Sequence, residues 1–244
     1  MKIIEFFGLP YSGKTYFSEL IIKKIKKKSY DTKSITLFYI WKKNYFNLYI
    51  LLSCIKNNLF SETKTNYYNF NTSKENKHQA KIIKKKILFS SYYKFLKEKQ
   101  KIFNESKKKY GNFSNLVENI LDKETDLYRK KNLKRWFKNE LTAIYIAKEK
   151  KMSGVLIMSE GLIQRIHSYF IKDKNIDANM IKRYLKTCPI SDTIFFVNTD
   201  KKIILNRMKK NKKNKKAIFY LENLNNLEKK LLMIVNEVKN IDSF

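Results

Sequence analysis

Near the amino terminus, Gly8-Leu9-Pro10-Tyr11-Ser12-Gly13-Lys14-Thr15 satisfies the spacing G-x-x-x-x-G-K-[ST] at every fixed position. That spacing suits one task, the holding of a polyphosphate. Gly8 and Gly13 let the backbone come close to phosphate oxygens, and the N–H groups of the loop and of the following helix converge on them. Lys14 is placed to bridge the β- and γ-phosphates, and the Thr15 hydroxyl to coordinate Mg²⁺. Ser12 completes the loop, and Tyr11 either stacks on a base or shapes the loop.

A second group lies far downstream, where the apolar run Val155-Leu156-Ile157-Met158 ends in Ser159-Glu160-Gly161. Strand ends gather at one edge of a parallel sheet, so Glu160 is expected near Lys14 and Thr15. A carboxylate there holds Mg²⁺ through a water or takes a proton from an acceptor hydroxyl. The plainer alternative is a glutamate that favours a helix start through the helix dipole. Arg165 follows on the next helix, and either reaches an acceptor phosphate or sulfate or caps a surface. His167 has no evident partner and reads as a surface or packed residue. A third group is Arg207 with the lysines from Lys209 to Lys216. These form either a cationic flap that closes over a transferring phosphoryl group or a solvated lysine run, as at Lys84-Lys85-Lys86. For Arg207 the functional account is preferred, because the chain uses arginine sparingly.

The elements that must position these groups are legible in the apolar pattern. Lys2–Phe7 reads as a buried strand and Thr15–Lys28 as a helix, with Phe17, Leu20, Ile21 and Ile25 on one side. The run Ser34–Ile40, β-branched and aromatic, reads as a second strand. Helix is expected from Trp41 to about Leu59, a polar loop from Ser61 to Lys77, and a basic amphipathic helix from Gln79 to Tyr110. Further helices are expected at Phe113–Leu121, Glu124–Lys150, Glu160–Ile171, Asp177–Lys186, Lys201–Lys210 and Leu221–Lys239. Buried strands are expected at Gly154–Met158 and Asp192–Val197. Strand–helix alternation with apolar runs implies a parallel sheet covered on both faces.

Composition bounds the function. A chain of 244 residues that is 43% hydrophobic and 14% aromatic has enough apolar material for one folded α/β domain with insertions. The formal charge of +31 is open to two accounts. A polyanion footprint is one. The other is coding bias, since Lys, Asn, Ile, Tyr and Phe all have A/T-rich codons and are abundant together. Scarce arginine favours the second account, and specific nucleic-acid binding is not expected. Cys54 and Cys188 stand alone, without the spacing of a disulfide framework or a zinc site. The apolar start belongs to the first strand and not to a signal peptide. The run Tyr45–Ile55 is too short to span a bilayer, so a cytoplasmic protein without a membrane partner is expected.

The order of glycine loop, acidic strand end, Asp192-Thr193-Ile194-Phe195-Phe196-Val197, and a helix containing Ile204-Leu205-Asn206-Arg207-Met208 resembles the nucleoside- and nucleotide-kinase branch of P-loop kinases. Thymidylate-kinase-like proteins are the nearest named group. The resemblance covers roughly the first 40 residues and Gly154–Lys216. It implies a P-loop NTPase three-layer sandwich spanning residues 1–244 as a single domain, with a mostly parallel sheet. The helical insertion, at about 41–150, falls between the second and third strands. ATP and Mg²⁺ are the implied cofactors, bound by Gly8, Gly13, Lys14 and Thr15. The resemblance places Arg207 at the start of a lid, near adenine or the phosphates. With the reading of the residues above, the candidate catalytic residues are Lys14, Glu160 and Arg207, and the metal residues Thr15 and Glu160. Arg165 either stands in for the family's acceptor arginine or does not. The implied activity is transfer of the γ-phosphoryl group of ATP to a small acceptor such as a nucleoside, nucleotide or sugar. A partner-binding ATPase switch and a nucleic-acid-stimulated NTPase are the alternatives. Thymidylate kinases carry Asp-Arg where this chain has Ser159-Glu160-Gly161. They also have a fifth strand, for which Val238–Phe244 is the only candidate.

Overall fold

The computed structural model describes residues 1–25, 29–44, 93–170, 178–211 and 215–241. The chain divides into two compact units, residues 1–35 with 105–244, and residues 36–104. In the first unit, β1 (Lys2–Phe7) pairs in parallel with β3 (Val155–Met158) on one side and with β4 (Thr193–Phe196) on the other. The two-residue β2 (Ser29–Tyr30) pairs in parallel with β3, which gives the order β2-β3-β1-β4. The chain is therefore an α/β protein with one four-stranded, all-parallel sheet among the described residues.

Side chains alternate along β1, and the two faces meet different helices. Ile4 and Phe6 face α1 (Lys14–Lys24), whose Ile21, with Ile25 just beyond its end, closes a cluster with Val155, Ile157 and Val197. The other face places Glu5 against the start of α6 (Leu162–Phe170). Between them in sequence lie α2 (Thr32–Asn44), the helical residues 93–109 (α3), α4 (Gly111–Asp122) and α5 (Leu127–Glu149). After α6 come α7 (Ala178–Thr187), α8 (Lys201–Lys210) and α9 (Lys215–Ile241). Helix α5 packs on β1, α4 and α6, while α9 packs on α6, α7 and α8. The core on this side is built from α5 and α6, through Phe137, Leu141, Ile144, Ile163 and Ile166, all buried.

Several elements depart from expectation, each for a local reason. Ser34–Ile40, expected as the second strand, is helical. Asp31 Oδ1 accepts from the N–H groups of Lys33 and Ser34, while Ser34 Oγ accepts from the Asp31 N–H. This reciprocal cap starts a helix and outweighs the strand preference of the run after it. The second strand is instead Ser29–Tyr30, just before the cap. Helix α5 begins at Leu127 and not at Glu124, because the Asp126 side chain accepts from the Arg129 N–H. Strand β4 is not buried. It is a sheet edge whose Phe195 and Phe196 are 42% and 39% exposed, held by stacking on Phe6 and Phe7, their register partners in β1. Residues 238–241, expected to open a fifth strand, continue α9. That helix begins at Lys215, so the end of the lysine-rich segment is helical.

In the second unit the described residues are 36–44 of α2 and 93–104 of α3, with Ile40, Phe95 and Ile102 buried. The expected loop at Ser61–Lys77, the run Tyr45–Ile55, Cys54 and the first part of the basic helix lie outside the described residues. Among the described residues no helix is long and apolar enough to cross a membrane.

Candidate functional site

The glycine loop leaves β1 at Phe7 and enters α1 at Lys14. Its path requires left-handed backbone, at Tyr11 (φ 64°) and at Gly13 (φ 100°). A side chain at Gly8 would place its Cβ 2.6 Å from the Val197 carbonyl oxygen. Gly13 caps α1 and offers no side chain to its first N–H groups, which stay available to an external anion.

Four side chains hold the loop by its backbone. Gln164 Oε1 accepts from the Gly8 N–H at 2.9 Å. Thr199 Oγ1 donates to the Ser12 carbonyl at 2.7 Å, and Arg207 Nη1 to the Tyr11 carbonyl at 2.9 Å. Lys14 folds back, its Nζ donating to the carbonyls of Gly8 at 3.0 Å and Leu9 at 2.8 Å. Two of its three protons are thereby held, and the third is left for a ligand. Burial lowers the Lys14 pKa to about 8, with Glu160 pulling it up and Arg165 pushing it down. Ser12 Oγ is buried and has no hydrogen-bond partner among the described residues, although Ser12 lines the cavity. A buried hydroxyl without a partner is costly, and a ligand atom would satisfy it.

The loop opens onto a cavity of about 780 Å³. One wall is Gly13, Lys14, Thr15 and Arg207, with the exposed rings of Tyr16 and Phe17. Phe17 was expected on one side of the helix with Leu20, Ile21 and Ile25. It sits on the first turn of α1, beside Gly13, and lines the cavity instead. The other wall comes from α6 and α5, through Glu160, Gln164, Arg165, His167, Ser168 and Trp136. Glu160 precedes the helix, which starts at Leu162. It was expected as the first helical residue.

What fixes that turn is Glu5. Its Oε1 accepts from the N–H groups of Ile163 (2.8 Å) and Gln164 (3.1 Å), and its Oε2 from Ser191 Oγ (3.1 Å). Gly161 is required there, since a Cβ would stand 2.4 Å from the Glu5 carboxyl carbon. Burial raises the Glu5 carboxyl to about 7, against the pull of these donors. Glu5 thus caps α6, and α6 through Gln164 fixes the loop.

Arg165 is buried, with its Nε and Nη2 on Glu140 Oε1 (2.7 and 2.6 Å) and its Nη1 on Glu160 Oε2 (3.1 Å). Its guanidinium carbon lies 4.4 Å from the centre of the Trp136 ring. Burial raises the Glu140 carboxyl to about 7, partly offset by the arginine. The carboxylates hold the Arg165 guanidinium above its ordinary value against desolvation. His167 is 4% exposed, and burial lowers its pKa to about 3, aided by Lys14 and Lys230, so its ring is neutral near pH 7.

Tyr11, Ser12, Gly13, Lys14, Thr15, Glu160, Arg165 and Arg207 therefore all line one cavity, and Gly8 sits beneath the loop with its N–H held. Sequence reasoning missed Gln164, Thr199, Trp136 and Tyr220. Gln164 carried a signal, because residues 164, 167 and 168 share one side of a helix that follows a strand end. Thr199 lies just past the carboxyl end of β4, where loop-facing residues are expected. Comparisons with protein-family models, with curated proteins and with solved structures returned no match to this chain.

Proposed function

We propose that the chain is a P-loop kinase-type phosphotransferase that moves the γ-phosphoryl group of ATP to a small hydroxyl acceptor. One observation carries the reading. A loop of the right spacing has its carbonyls taken by Lys14, Thr199 and Arg207, its following helix start uncapped, and a carboxylate lining the same cavity. Anion binding needs N–H groups presented to the ligand, and engaging the carbonyls elsewhere turns the loop's dipoles the required way.

In the reaction the acceptor hydroxyl oxygen forms a bond to the γ-phosphorus. The bond from that phosphorus to the β,γ-bridging oxygen breaks, and its electron pair leaves on ADP. The hydroxyl proton passes to the Glu160 carboxylate and then to water. Lys14 and Arg207 on the loop wall supply positive charge where it develops on the phosphoryl oxygens. Among the described residues no group of three or more His, Cys, Asp or Glu could hold a metal. A cation would rest on Thr15, Glu160 and the phosphates, oxygen donors that suit Mg²⁺. When bound, Mg²⁺ would neutralise charge on the bridging phosphates.

Lys14→Ala is expected to lose ATP binding by calorimetry while circular dichroism stays unchanged. Equal affinity in mutant and wild type would remove the site. Glu160→Gln should cut turnover roughly 100-fold or more with ATP affinity kept, the range typical of a positioned acid–base group. Hydrolysis without any phosphorylated acceptor, read by mass spectrometry over a panel of alcohols, would favour a nucleotide switch.

A further inference from the structure

We infer that the acceptor is an uncharged hydroxyl compound, an alcohol carrying no phosphate of its own. This rests on the phosphotransferase reading and concerns the α6 wall of the same cavity. Recognition of a phosphate monoester calls for a guanidinium fork open to the ligand. Arg165 is the arginine of that wall, and its fork is closed. Nε and Nη2 converge on Glu140, Nη1 meets Glu160, and the guanidinium lies over the Trp136 ring.

Charge points the same way. Two carboxylates serve one guanidinium here, and Glu140 Oε2 is left buried with no hydrogen-bond partner among the described residues. The Glu160 side chain is 49% exposed, so an incoming phosphate would meet a carboxylate first. Lys14 and Arg207, which line the same cavity on the glycine-loop side, are already to hold a polyphosphate. What the α6 wall offers instead is neutral. The Gln164 amide, the Ser168 hydroxyl and the Trp136 indole suit hydroxyls and ring faces. Should Glu160 turn toward a cation, Arg165 still keeps both of its contacts to Glu140.

The test uses the full chain, ATP labelled in the γ position, and matched pairs of alcohol and phosphate monoester. Nucleosides are set against their 5′-monophosphates, and hexoses and amino sugars against their phosphates. The alcohol of at least one pair is expected to be phosphorylated with kcat/KM about tenfold or more above its monoester, the scale of one like-charge contact. Preference for monoesters overturns the acceptor class alone. Transfer to neither member of any pair overturns the phosphotransferase reading with it, whatever ATP binding shows.

Glu140→Gln keeps the shape of the pair and removes one of the two negative charges that offset the guanidinium. The monoester-to-alcohol ratio should then rise roughly tenfold, and an unchanged ratio in the folded variant overturns the role given to Arg165. If that variant fails to fold, Glu160→Gln removes the carboxylate that an incoming phosphate would meet first, and the same ratio should rise. Both substrates are compared within one variant, so its loss of turnover cancels.

Discussion

Lys14 is a cation in a desolvated place, held by two carbonyls of its own loop until a ligand arrives. With a pKa of about 8, it begins to lose its proton just above neutrality. A polyphosphate stabilises the charged form, so binding must raise that pKa and take up a proton on the alkaline side. ATP affinity is therefore expected to be flat below about pH 7 and to fall by roughly tenfold per unit above about pH 8. Calorimetry at pH 8.5 in buffers of different ionisation heat should show uptake approaching one proton. Constant affinity from about pH 7 to about pH 9.5 would mean the lysine stays clear of the phosphates.

The element that couples the two walls is α6. Its first turn is held by Glu5 from β1, and in that same turn the Gln164 side chain holds the loop by the Gly8 N–H. The Glu5 carboxyl is raised from 4.5 to about 7, so between those values the folded state binds more protons than the unfolded chain. Stability from this group is full below about pH 4.5 and is lost as pH rises through about 7, a difference of ~3 kcal/mol at most. Glu140 and His167 also titrate on unfolding. The Glu5 share is therefore read as the difference in urea stability between wild type and Glu5→Gln, which should shrink as pH rises from about 5 to about 8. Parallel slopes in the two proteins would remove Glu5 as a source of the pH dependence. Gln164→Leu should cost about 1–3 kcal/mol by leaving the Gly8 N–H buried and unpaired, and should weaken ATP binding. Unaltered affinity would show that the loop holds its shape without α6. None of this coupling is visible in local sequence, because Glu5 and Gln164 stand 159 residues apart.

Across the whole molecule, the coding-bias account of the +31 charge makes a prediction of its own. Duplex DNA should bind without base preference and lose on the order of a thousandfold affinity between about 50 and about 200 mM salt. ATP turnover should be unaffected by it. Salt-resistant binding or stimulated hydrolysis would restore a nucleic-acid role. Among the described residues the sheet ends on β4, whose partly exposed Phe195 and Phe196 pack against Phe6 and Phe7 in β1. The apolar run alone could not separate this edge from a central strand, since both carry the same residues.

Local chemistry was readable without coordinates. β1 falls where its apolar run predicts, the loop follows it, and α8 occupies the expected Lys201–Lys210. These features are decided by neighbours within a few residues, through glycine conformations, caps and apolar spacing. The capping residues Asp31 and Ser34 were also present to be read, but the β-branched run behind them dominated the pattern. Tertiary structure alone decided that Arg165 closes on Glu140 and Glu160, that His167 is buried beside the cavity, and that Gln164 reaches Gly8. Most such pairings join residues far apart in the chain, and their energies depend on burial and on which partner arrives. Spacing along a sequence carries the period of a helix or strand, and says little about what lies across the fold.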